Sequence, residues 1–242
     1  MPGTRANLIL AIRKRCIIPS VLTYALFTLL LWTMDPAASQ TIGPGAVWRP
    51  GSAAMNAVRE QCAKGQPSNF GDCLISKMPE QGASAEAVAF SKELEKKNGQ
   101  IGFITAFQES GPVDVAAVDY PLRANENTGC LLVNGMPGMI DIDQLSLLPK
   151  QDLEKDPGYI QLKNKFPRAT LFPGDRSDTT CPKAQKLAGG GERFVASYHI
   201  QNGCHACERI GLASIAFDFK PSGEFAGAKF LRLEPEPAKP PR

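Results

Sequence analysis

The sequence predicts an α+β protein: helical at its start, mainly antiparallel sheet thereafter, closing on a three-stranded meander and stapled by disulfides. Apolar residues recur at helical spacing between residues 52 and 97, and the period changes to two from residue 101 onward. Six cysteines follow an N-terminal segment of export type.

That segment is read first because it sets the compartment. Arg5, Arg13, Lys14 and Arg15 precede an uncharged, largely apolar run over 16–34, which Asp35 and Pro36 end. The order is that of a secretory signal, and Ala37-Ala38-Ser39 supplies the small residues a signal peptidase inspects, so residues 1–39 are expected to be removed. A run of roughly 20 apolar residues is also long enough to stay as an uncleaved anchor. Either way the remainder is expected on the far side of a bacterial-type inner membrane, periplasmic or secreted, with membrane contact through this segment alone.

Removing residues 1–39 takes four basic groups and one acidic group from a net charge of +3, which leaves a neutral chain. No block of like charges stands out, so a nucleic-acid partner is not expected. Dropping Cys16 leaves Cys62, Cys73, Cys130, Cys181, Cys204 and Cys207, an even set that in an oxidising compartment reads as three disulfides.

The elements follow in order. A helix is expected over 52–64, with Ser52 as cap candidate and Met55, Val58 and Cys62 on one stripe, and a shorter one over 70–78 with Phe70, Cys73, Leu74 and Met78. That helical hairpin brings Cys62 and Cys73 together, and Cys130 with Cys181 and Cys204 with Cys207 are the expected partners among the 15 connectivities that six cysteines permit and sequence alone does not choose between. The third helix is the best marked: Ser84 caps it, Ala87, Phe90 and Leu94 face inward, Lys96 and Lys97 occupy the last turn and Gly99 ends it. Strands are expected over 101–107 and 113–120, joined by QESGP, then over 130–133 and 139–142 around the turn dipeptide Asn134-Gly135. Residues 143–191, with five prolines, predict one helix near 159–165 and otherwise an irregular connection. Alternation marks strands over 194–200 and 212–219, with a third at 229–233. One globular domain is thus expected over 40–233, followed by a proline-rich, disordered tail over 234–242.

The densest reactive chemistry is the loop Asn202-Gly203-Cys204-His205-Ala206-Cys207-Glu208. Covalent haem needs C-x-x-C-H, and here Glu208 follows the second cysteine. A thiol-disulfide oxidoreductase using Cys204 and Cys207, with His205 between them, would need a helix N-terminus to lower the thiol pKa, and the following run LASIAFDF is β-type. A metal site drawing on His199 and His205 with the two cysteines is disfavoured because adjacent Cys204 and His205 cannot easily turn to one ion. The expected reading is a disulfide closing a hairpin loop. Asp141 and Asp143, on one side of a strand, read as solvent-facing acids, Asp175 and Asp178 as turn residues, and Gly189-Gly190-Gly191 as a flexible linker.

No catalytic motif rises above these, and no cofactor is implied. The sequence therefore predicts an exported, non-catalytic binding or accessory protein for a protein or small-molecule ligand, with the redox enzyme and the metal binder as rivals at the same loop.

Overall fold

The computed structural model describes residues 41–63, 70–124, 127–177 and 179–236. The export segment expected over 1–39 lies outside them, as do Asp178 and the tail beyond Glu236. Among the described residues there are five α-helices and two antiparallel sheets; three of the helices, a four-stranded sheet and a five-stranded sheet form three layers.

The helical layer is α1 (Ser52–Ala63), α2 (Phe70–Lys77) and α3 (Ala85–Asn98). Met55, Val58 and Cys62 of α1 meet Leu74 and Ile75 of α2 in a cluster with Trp48 and Phe103. At the start of α3 the Ser84 hydroxyl accepts from the Ala87 N–H at 2.9 Å, and at its end left-handed Gly99 donates to the Glu95 carbonyl.

The first sheet orders β1 (Phe103–Gln108), β2 (Asp114–Asp119), β3 (Thr128–Val133) and β4 (Met139–Asp141) as consecutive antiparallel neighbours. It is buried on both faces, which is why its strands read as nearly continuous apolar runs. Ile104, Ala116, Val118 and Leu131 pack on Phe90 and Leu94 of α3, while Val115, Cys130, Leu132 and Ile140 face the second sheet. Asn134, left-handed at φ 67°, uses its side-chain amide like a strand neighbour for Ile42, accepting its N–H at 2.8 Å and donating to its carbonyl at 2.7 Å.

The second sheet runs β5-β7-β8-β9, with β6 on the far end of β7: β5 (Ala169–Pro173), β6 (Ala184–Lys186), β7 (Glu192–Asn202), β8 (Arg209–Phe219) and β9 (Phe225–Pro235). Phe194, Ala196, Tyr198 and Ile200 of β7, with Ile215, Phe217 and Phe219 of β8, point into the core between the sheets. Two short helices, α4 (Lys150–Lys155) and α5 (Pro157–Lys165), add Leu153, Tyr159 and Leu162 to it. The loop after β3 is stitched to the β8–β9 turn, with the Met136 N–H on the Gly223 carbonyl and the Phe225 N–H on the Met136 carbonyl, both at 2.8 Å.

The three disulfides are Cys62–Cys73, Cys130–Cys181 and Cys204–Cys207. Such a set belongs to an oxidising, extracytoplasmic environment. No helix among the described residues is long and apolar enough to cross a membrane.

Several expectations are corrected. The 143–191 stretch holds α4, β5 and β6 besides the expected helix. Gly189-Gly190-Gly191 is a tight hairpin turn, not a flexible linker: the Leu187 N–H donates to the Gly191 carbonyl and Gly190 takes a φ of +82°. Strand β9 begins at Phe225 and reaches Pro235, so Glu234 and Pro235 pair with Leu212 and Gly211 and do not belong to the tail. Asp143 is not a solvent-facing acid either, because Arg176 covers it.

Asp218 of β8 is held by cations from both neighbouring strands. Arg193 grips it with two bonds at 2.7 and 2.8 Å and Lys229 adds a third at 2.8 Å, which together lower its pKa to about 2. A depressed folded-state pKa contributes stability that is complete above the unfolded value of about 4 and is lost as pH falls through about 2. The D218N variant should therefore lose the part of the acid sensitivity of unfolding between pH 4 and 2 that this carboxylate contributes. Urea titrations across that window would measure this, and an unchanged slope would show that other carboxylates govern it.

Candidate functional site: a disulfide-closed hairpin tip

The tip is built by the two long strands that flank it. β7 and β8 pair along almost their full length, and the Asn202 N–H to Glu208 carbonyl bond at 3.0 Å closes the ladder. Beyond it the chain reverses through Cys204-His205-Ala206-Cys207, where the Cys207 N–H donates to the Cys204 carbonyl at 3.0 Å and the side chains of both cysteines are bridged. This is a β-turn. No helix starts at Cys204, so no helix dipole favours a thiolate there.

Neighbouring side chains hold the turn. The Gln201 side-chain amide donates to the His205 carbonyl at 2.9 Å, and the His205 ring stands edge-on to Phe172 of β5 with centroids 5.6 Å apart. Gly203 is left-handed at φ +91°, and a Cβ there would lie 2.9 Å from the Arg168 side chain, so this position demands glycine on two counts. Arg209, where β8 begins, pairs with Glu236 just past β9 through bonds of 2.9 and 2.8 Å.

The sequence-predicted residues are thus brought together in part. Cys204, Cys207 and His205 share the tip, and His199 lies nearby on β7, in register with Phe172. Burial, opposed by Asp175, holds the His199 imidazole below its ordinary value. Both cysteines are committed to the bridge, and among the described residues no group of three or more His, Cys, Asp or Glu is placed to hold a metal ion. Sequence reasoning missed Phe172 and Arg168. Phe172 lies on a short strand that ends at Pro173, Arg168 just precedes that strand, and alternation in ATLF was the available signal.

A second polar assembly lies where β4 ends. Arg176 reaches Asp143 at 2.7 Å and the Ser197 carbonyl at 3.0 Å, stacks 5.1 Å over Tyr198, and through its own carbonyl accepts from the Thr128 hydroxyl. The Tyr198 hydroxyl donates to the Ile142 carbonyl. Burial pushes the Asp141 carboxyl above its ordinary value against the pull of the Asp143 N–H, and pushes both Tyr120 and Tyr198 phenols up. Arg123 lies 3.5 Å over the Tyr120 ring. The assembly ties β2, β3 and β4 of one sheet to β7 of the other, and the Tyr120 hydroxyl is buried in it without a hydrogen-bond partner. A shallow groove of about 430 Å³ between α2 and α3, lined by Asp72, Ile75, Ser76, Val88 and Lys92 among others, brings no such set together.

No protein-family model, no curated protein and no solved structure matches this chain.

Proposed function

We propose that this is an exported binding or accessory protein that recognises a protein or small-molecule ligand through the disulfide-closed tip between β7 and β8. The observation that supports it is the presentation of His205: an exposed imidazole on a turn closed by a covalent bridge, set edge-on to Phe172. A bridge spanning so few residues stabilises a fold by only about 2 kcal/mol in the loop-entropy account. Its value therefore lies in holding one local geometry, and pre-organised contact groups lose little entropy on binding. A thiol-disulfide oxidoreductase at Cys204 and Cys207 is the second reading, favoured by the exposure of Cys204. It would reveal itself by catalytic turnover of a disulfide substrate.

The experiment is capture of extracytoplasmic ligands on the native full chain beside its F172A/H205A variant. Recovery of a specific ligand should fall at least about tenfold with the variant, as expected when a central contact is truncated. Equal recovery at unchanged thermal stability would move the recognition surface elsewhere.

Export with removal of residues 1–39 belongs to the same reading. N-terminal sequencing of protein from the extracytoplasmic fraction should begin at Gln40. An intact Met1 in the membrane fraction would instead identify an anchored form.

A further inference from the structure

The three bridges differ in a way that bears on chemistry. Thiol-disulfide exchange needs one sulfur open to attack and the other able to leave as a thiolate. In Cys62–Cys73 and Cys130–Cys181 one partner is buried, Cys62 with 2% and Cys130 with 0% of its surface exposed, each in an apolar cluster. Attack on the more accessible partner expels a thiolate into that cluster, where loss of solvation raises its pKa and makes it a poor leaving group. At the hairpin tip Cys204 is exposed and Cys207 half-buried, so both ends of the reaction are solvated.

From this contrast we propose that Cys204–Cys207 is an exchange site for a dithiol protein of the same compartment, and that its reduction switches the presentation of His205. The proposal rests on the tip being the recognition surface. In the first step the partner's thiolate attacks Cys204 Sγ, the Sγ–Sγ bond breaks, and its electron pair leaves on Cys207 Sγ, which takes a proton from water. The partner's second thiolate then attacks its own sulfur in the mixed disulfide and expels Cys204 as a thiolate. Two electrons pass from the partner dithiol, which becomes a disulfide, to the bridge, which becomes a dithiol.

Reduction leaves the scaffold standing. The β7–β8 ladder is closed by the Asn202–Glu208 bond below the bridge, and the strands beneath are held by the pairing of β7 and β8. Beyond that bond the tip is held by non-covalent contacts, among them the turn bond, the Gly203 N–H on the Gln201 carbonyl, the Gln201 contact with the His205 carbonyl and the Phe172 ring contact. Exposed groups held by non-covalent contacts alone reorient once the covalent closure is gone.

The test uses the native full-length chain with dithiothreitol as the reductant, quenched by alkylation and mapped by peptide mass spectrometry. Cys204 and Cys207 should be alkylated at least about tenfold faster than Cys62, Cys73, Cys130 and Cys181, as access and leaving-group pKa together dictate. The His205 ring resonances should move towards those of a solvated peptide while the β-sheet amide resonances stay in place, and C204S/C207S should show the same displacement without any reductant. Simultaneous alkylation of all six bridged cysteines, or earlier opening of either buried pair, would overturn the exchange site. Selective reduction with unmoved His205 resonances would overturn the switch. Neither outcome depends on ligand capture, so each can be told apart from failure of the recognition reading.

Discussion

Replacing Arg176 with alanine is expected to cost about 3–5 kcal/mol of unfolding free energy, because it leaves a carboxylate buried without its counter-charge. The Arg176 and Asp143 side chains expose 3% and 9% of their surfaces, and the guanidinium is also the donor to the Ser197 carbonyl on β7. Once Arg176 is gone, the Asp143 carboxylate is left in a poorly solvated site without its counter-charge, which costs stability. Removing both charges together is different. A buried ion pair replaced by apolar residues of similar volume is often close to neutral, so R176M/D143L should recover most of the loss. Urea unfolding of the two single variants and the double variant closes the cycle. A coupling below about 1 kcal/mol would mean that the pair is solvated in a way its burial does not suggest.

The second large effect is removal of the Cys130–Cys181 bridge. Its cysteines lie 51 positions apart, so the closed loop carries α4, α5 and β5, the elements with the least regular sequence. The loop-entropy account assigns it about 4 kcal/mol, against about 3 for Cys62–Cys73. The C130S/C181S variant should show that loss in denaturant midpoint, and local proteolysis should begin between residues 143 and 180. C62S/C73S should leave that region protected. A C130S/C181S loss no larger than that of C62S/C73S would show that α4, α5 and β5 hold their places by packing alone.

How far the fold was legible depends on how local its determinants are. Ser84, Phe90, Leu94 and Gly99 announce a helix from within fifteen positions, and the structure ends it where Gly99 turns left-handed. Alternation from Phe194 to Ile200 announces a strand whose inner face is buried. Strands β5 and β6, five and three residues long, carry too few turns of the pattern to stand out from their prolines. Their existence depends on β7, which pairs with both. The same limit applies to chemistry. The loop from Asn202 to Glu208 was readable as a hairpin because its flanking strands were, whereas its contact with Phe172 crosses strands 33 residues apart. Asp143 looked solvent-facing because the residue that covers it, Arg176, is equally distant and marked by no spacing rule.

In the order of synthesis, each described bridge joins a cysteine to the next one along the chain: 62 to 73, 130 to 181, 204 to 207. A polypeptide threaded through a membrane from its N-terminus presents these thiols one at a time, so an oxidase that couples each newly arrived thiol to the one still waiting makes the native set directly. Six thiols could be joined in 15 ways, and this connectivity is the one that sequential arrival selects without later reshuffling. Under the proposed export, an oxidant acting in order of arrival is enough to make this set.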